Sequence, residues 1–356
     1  MSIEGFTRNR RHQFGRQVAF GTVVAATRAY SAKGTPSVDL KWTDPEVDTG
    51  SIDPVVAPTR EAPDLGASLN FPSLHYNDLP LIMCGIFGGG ETPAGAGTAK
   101  TWTHKPDPAA PEDPDPFSYE FGDDVTSDWY QFGDGHEDSV EITGPDGLGP
   151  LSATTAWKFG SVASTGSTDQ PVTGSVPTAL SVAQNEAIVY LKDLSVYLAA
   201  TVAGLGAGQL SDTVHSFVLR ITQAWDEKRW ANGDQSFDID ALGRGARAIE
   251  VELTCSKNSK TVGTGSLSDD WLSEGVHDAY LRLKAVSKVV AQSGPPPVPY
   301  SWQVTLPVRV YTRTDGESGG NSTVVLTAHA YYEPSTFDGV FESVAVTTIA
   351  DDDLGA

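Results

Sequence analysis

Alternation of apolar and polar positions dominates this chain. Ile249, Val251, Leu253 and Cys255 fall on one side of an extended backbone, and Glu250, Glu252 and Thr254 on the other. Successive side chains of a strand point to opposite faces, so the pattern predicts a half-buried antiparallel strand. Five further segments repeat it: Phe217 to Ile221, Leu281 to Ala285, Trp302 to Leu306, Val324 to Ala328, and Val344 to Val346. In the first half, strands are predicted at Ala67–Phe71, Lys100–His104, Phe117–Phe121, Tyr130–Phe132, Ser139–Thr143 and Leu151–Phe159. Gly144-Pro145-Asp146-Gly147, between the last two, has the residues of a tight hairpin turn.

One stretch breaks this period. Asn77 to Phe87 reads as a short buried helix, with Asn77 as its N-cap, Pro80 in the first turn and Gly88-Gly89-Gly90 as its stop. A second short capped helix is expected over Ser268 to Gly275, between the Cys255 and Leu281 strands. When Asp270 is aligned with Asp78, the strand before, the strand after and the later hairpins follow in the same order. The pattern therefore predicts a mainly β protein of two tandem sandwich or barrel modules, each with one short flanking helix and with long extended arms and loops.

Composition sharpens the division. A chain of 356 residues is long for one core and suits two domains. The expected order is a basic N-terminal arm (1–17), a first module (18–160), a Ser/Thr/Gly linker (161–186), a second module (187–350) and an acidic tail (351–356). Inside the first module, 43–65 has no period of its own and reads as a long reaching loop. Residues 106–116, nearly all Pro, Asp, Glu and Ala, read as a solvated extended loop. Arg8, Arg10, Arg11 and Arg16 make the N-terminal arm suited to docking on the acidic body of a neighbouring copy. A rival reading of the same region is a loose twin-arginine export signal, with a short apolar segment from Val18 to Ala29 broken by Gly21, Thr22, Thr27 and Arg28.

Charge and motifs exclude more than they nominate. With 24 Lys and Arg against 46 Asp and Glu, net charge −22, the protein is poorly equipped to grip a phosphate backbone. Acidity by itself reads as solubility or adaptation to a salty medium. Cys84 and Cys255 lie in apolar segments and read as buried thiols. No apolar run reaches the length of a membrane helix. The glycine clusters at 88–90 and 204–208 lack the residues of a phosphate or dinucleotide loop. The seven histidines are scattered, and Asp134-Gly135-His136-Glu137-Asp138 reads as a solvated turn rather than a cation loop. No serine sits in a nucleophile elbow, and no acid pair is singled out for glycoside chemistry. Asn321-Ser322-Thr323 matches a glycosylation acceptor, which matters only in a secreted protein. The expectation is a non-enzyme with no catalytic, cofactor-binding or metal-binding residues.

Several motifs nevertheless recur in a recognisable order. They are Phe20 to Thr27, Asp48 to Pro54, Tyr76 to Ile82 running on to Gly88-Gly89-Gly90, Lys100 to His104, and Ser118 to Asp123. In that order, over roughly residues 14 to 160, the chain resembles the major tail tube proteins of long-tailed bacteriophages and their archaeal relatives. Tyr331 to Pro334 and Val344 to Thr347 resemble the family's closing strand. The resemblance implies two packed antiparallel sheets with a flanking helix, joined edge to edge into rings that stack as a hollow conduit for viral DNA. It implies a virion tail location after synthesis in the host cytoplasm, with a tape measure protein and a tail terminator as partners, no membrane, and DNA that passes without specific binding. A second tube-like module in place of the family's small decorating domain makes three chains sufficient for a pseudo-sixfold ring; an outer decoration instead requires six. The competing class is an exported or cell-surface β-sandwich binding protein, supported by the twin arginines, the acidity and the sequon.

Overall fold

The computed structural model describes residues 10–39, 41–43, 59–61, 64–87, 93–95, 97–105, 115–123, 128–165, 180, 187–206, 209–210, 213–228, 239, 241–257, 278–294, 296–318, 321–334, 341 and 343–348. Over these the chain is mainly β, with eighteen strands and one α-helix. In chain order they are β1 (Arg10–Arg16), β2 (Arg28–Tyr30), β3 (Lys33–Asp39), β4 (Trp42–Thr43), β5 (Thr59–Arg60), β6 (Asp64–Phe71), α1 (Leu79–Phe87), β7 (Lys100–His104), β8 (Phe117–Asp123) and β9 (Asp128–Gly144). Then follow β10 (Ser152–Phe159), β11 (Ser161–Thr165), β12 (Leu194–Ala199), β13 (Val214–Lys228), β14 (Ala241–Ser256), β15 (Asp278–Gln292), β16 (Val298–Ser318), β17 (Asn321–Ala330) and β18 (Ser343–Thr348).

Among the described residues sixteen strands share one hydrogen-bonded network, while β4 and β5 pair only with each other. Its backbone is the run β3-β6-β10-β9-β13-β14-β17-β16, which continues through β15 to β12. The two halves of the chain meet inside this run. Gly144 to Ser139 of β9 pair antiparallel with Phe217 to Thr222 of β13, a full ladder rather than a linker. A second bond between halves is β7, which pairs with β18, the last strand. Buried apolar side chains from both halves accordingly form one connected cluster.

A second layer covers the first-half strands. β1 pairs with β2 and β8, and the N-terminal part of β9 pairs with β8 and β11. Aromatic rings fill the space between layers: Phe14 lies 5.0 Å from Trp157, Tyr119 5.4 Å from Phe159, and Phe132 5.0 Å from Phe159. Rings of this size supply much of the buried apolar area and so much of the driving force.

Several expectations need correction here. Arg10–Arg16, expected within a basic arm that docks on a neighbouring copy, is the strand β1 and pairs within its own chain. Gln13 and Phe14 are buried, Gln13 donates to Glu120 Oε2 at 3.0 Å, Arg16 pairs with Asp115, and the Arg10 guanidinium lies 5.6 Å over the Phe121 ring. The aromatic and amide side chains outweigh the basic composition, because they have a layer to pack against. Asp134 to Asp138, expected as a solvated turn, lies inside the continuous strand β9, and Asp134, His136 and Glu137 are buried. The strand passes there from one sheet to the other across a bulge that skips Asp138, and Asp134 takes a positive φ of 57°. β16 changes partners in a similar way in the second half: its first part pairs with β15 and β18, its last with β17, and its bulge skips Tyr311. Ser161–Thr165, expected within the linker, is β11, paired with β9. Residues 187–191 bond to 74–76 and to 149–151, so the expected start of the second module is laced to first-half backbone.

Every residue of α1 is buried. It begins at Leu79, just after the expected cap: Asn77 instead accepts a hydrogen bond from the Thr348 hydroxyl, and Asp78 accepts the His75 N–H at 3.3 Å. At its other end Arg247 of β14 donates to the carbonyls of Ile86 and Phe87 at 3.4 and 3.2 Å, where a cation complements the helix dipole. The helix thus bridges both halves. The expected helix at 268–275, the loops 44–58 and 106–114, residues 1–9 and the tail 351–356 lie outside the described residues.

Candidate functional surface

The solvent-facing side of the long sheet is built by the same alternation that fills the core. Ile249, Val251, Leu253 and Cys255 point inward, as do Leu65, Ala67, Leu69 and Phe71, leaving polar side chains on the other face. Register aligns them into a row that crosses eight strands at right angles. Its members are Lys33, Asn70, Thr154, Glu141, Arg220, Glu250, His329 and Arg309, each the direct cross-strand partner of the next.

The centre of the row is a charge clamp. Arg220 Nε donates to Glu141 Oε2 at 2.8 Å and Nη1 to Glu250 Oε1 at 2.7 Å, with the Glu252 carboxylate 3.8 Å away. These bonds raise the Arg220 pKa still further. His329 Nε2 lies 3.4 Å from Glu250 Oε2, and Asn70 Nδ2 donates to Thr154 Oγ1 at 3.2 Å. Partly exposed pairs of this kind are each worth about 0.3–1 kcal/mol, so the clamp tunes register and surface potential more than it drives folding. The sequence holds every one of these residues but not their alignment, which depends on pairing between strands far apart in the chain.

The run also ends in two open edges. β3 pairs with β6 on one side and, among the described residues, with nothing on the other. Among the described residues β16 loses β15 beyond Arg309, so that Thr312 to Ser318 pair there with β17 alone. An unpaired edge is a template for another strand.

Other polar clusters are structural in character. Glu137 is fully buried against Gly85 of α1 and Trp157, with neither carboxyl oxygen hydrogen-bonded among the described residues; burial, then the Asp138 charge, push its pKa well up. His136 beside it has its pKa lowered, chiefly by burial. Ser256, His215 and Asp146 come close in the order of a hydrolytic triad. Ser256 Oγ and His215 Nε2 are 2.6 Å apart, but His215 Nδ1 is 4.0 Å from an exposed Asp146, beyond hydrogen-bond reach, so that Asp146 does not orient the imidazole. The adjoining groove, about 430 Å³, is lined by Lys192, Gln209, Leu148 and Leu210 beside that pair. Among the described residues, no group of three or more His, Cys, Asp or Glu is arranged to hold a metal ion, and no helix is long and apolar enough to cross a membrane.

In comparison with known proteins, no family model and no curated protein matches this chain significantly.

Proposed function

We propose that this chain is the tube-forming subunit of a long-tailed virus, a structural virion protein whose copies join edge to edge into rings that stack as a conduit for DNA. The observation that carries the reading is an internal repeat of strand pairing. β1, β3, β6, β8, β9, β10 and β11 correspond in order to β12, β13, β14, β15, β16, β17 and β18, and every ladder among the first set recurs among the second. The short β1–β2 ladder has its counterpart in the bridge between Tyr197 and Gln209. The bulges at Asp138 and Tyr311 fall at matching places, where β9 and β16 each change partner strands.

Two tandem modules of one design make the β9–β13 seam a module-to-module contact within one chain. A copy of that contact between chains uses the two open edges, and a closed ring pairs every edge. Three chains then supply six modules, with eight strands from each chain in the inner wall. The polar face of the long sheet lines the passage in this arrangement. Its carboxylates and hydroxyls, with Arg220 neutralised by Glu141 and Glu250 and with Lys33 and Arg309 far apart near the two ends of the row, offer DNA little to hold, which suits transit rather than binding. The tape measure protein and tail terminator belong to this reading as partners.

Electron microscopy of the purified protein at rising concentration tests it. Rings or hollow tubes are the expected result. Discrete monomers at every salt and concentration tried contradict it and favour an exported sandwich protein instead.

A further inference from the structure

The seam inside the chain carries enough register information to specify the seam between chains. The two bulges provide the anchor. Around the first, Trp157 of β10 pairs with Glu137 and Ala156 with Ser139; around the second, Ala328 of β17 pairs with Val310 and Thr327 with Thr312. Trp157 therefore corresponds to Ala328, and Ser139 to Thr312. One strand further on, Trp157 pairs with Ala67 and Ala328 with Val251, so Ala67 corresponds to Val251. The buried sets then coincide: Leu65 with Ile249, Leu69 with Leu253, Phe71 with Cys255. One more strand out, Ala67 pairs with Pro36 and Val251 with Leu219, which matches Pro36 to Leu219 and Ser37 to Arg220. The walk stays in register across four strands.

From this we infer that β16 of one chain pairs antiparallel with β3 of a second copy, in the register that places Thr314 directly opposite Ser37. The template is the pairing of Glu141 with Arg220 in the internal seam. The same transfer sets Arg313 opposite Val38, Asp315 opposite Pro36 and Gly316 opposite Thr35. Ser37 and Thr314 are both exposed and lie on the polar face. The junction extends an interface the chain already uses within itself, which is why the occupant is a second copy and not a foreign strand. Within this register Lys33 faces Ser318 rather than Arg309, so the polar row does not close on itself. That stagger is what a closed barrel with tilted strands requires.

This inference rests on the ring reading, and its test separates the two. Residues directly opposite in an antiparallel pair bring their Cβ atoms to about 4.5–5.5 Å, near the span of a disulfide, whereas a pair offset by two residues is about 7 Å apart. The variant Ser37→Cys/Thr314→Cys is oxidised and run on a non-reducing gel, beside Ser37→Cys/Thr312→Cys, Ser37→Cys/Gly316→Cys and the single variants, all after imaging. The native Cys84 and Cys255 are buried and out of reach. The expected result is a ladder ending at a covalent trimer for Ser37→Cys/Thr314→Cys alone, released by reductant. Rings or tubes with cross-linking in an offset pair, or in none, overturn the register and leave the ring standing. Absence of both assemblies and cross-links overturns the ring reading itself.

Discussion

Replacing Glu137 with Gln should remove a pH dependence that the wild-type protein carries in its core. The carboxyl lies against Gly85, where an added Cβ would meet Oε2 at 2.7 Å, and beside Trp157, with no hydrogen bond among the described residues to stabilise its charge. Its backbone carbonyl accepts from Trp225 Nε1 at 2.7 Å, a bond that Gln retains. In the unfolded chain a Glu titrates near about 4.3. In the folded chain burial raises that value well above the ordinary one. Between the two values the folded state holds a proton that the unfolded state has lost, so stability is greatest below the unfolded pKa and falls as pH rises towards the folded one. The slope is about 1.4 kcal/mol per pH unit from this one group. Denaturant unfolding of dilute wild type and Glu137→Gln, compared at about pH 5, 6 and 7, isolates it, because other titrating groups cancel in the difference. The wild-type advantage should shrink, or reverse, as pH rises, at up to about 1.4 kcal/mol per unit for as long as the folded carboxyl keeps its proton. A difference that stays flat with pH would refute the reasoning, since it would mean that the carboxyl titrates in the folded protein as it does in the unfolded chain.

Three further outcomes follow from the packing. Trp102→Ala empties a fully buried site in β7 and should cost about 3–5 kcal/mol, with faster amide exchange in Val344–Thr348 as β7 detaches from β18. Gly85→Ala should destabilise by about 1–3 kcal/mol despite the better helix propensity of Ala, because the new methyl meets Glu137 and Trp157 at 2.7 Å; thermal unfolding reads it. His12, buried with its Nδ1 2.8 Å from the Tyr119 hydroxyl, has its pKa lowered to about 4 by burial and, secondarily, by Arg10. Its neutral form is favoured, so its contribution is lost as pH falls from about 6.5 towards that value, and His12→Asn should flatten acid unfolding in that window.

The sequence was readable where one face of a strand is buried and the other wet. Ile249 to Cys255 and Val324 to Ala328 announce both their strand and their inward face, and the apolar run at Leu79–Phe87 announces a buried helix. Legibility failed where a segment is buried on both sides or paired at long range. Asp134 to Asp138 is polar enough to read as a turn, yet it lies where β9 changes sheets and its neighbours enclose it. Arg10, Arg11 and Arg16 hid β1, because their charges are met by an aromatic face, a backbone carbonyl and Asp115 rather than by solvent. The row through Glu141, Arg220 and Glu250 had no local signal at all. Those residues become neighbours only when β9, β13 and β14 align, and no spacing along the chain encodes that.

The central claim, that two like modules per chain close a ring through β3 and β16, is tested most directly by cryo-electron microscopy of the assembled protein in cross-section. The account predicts three chains per ring, pseudo-sixfold modules, and a continuous inner wall to which each chain contributes eight strands. An assembly of six chains with the second halves outside the wall, or no ring at any concentration, would contradict it.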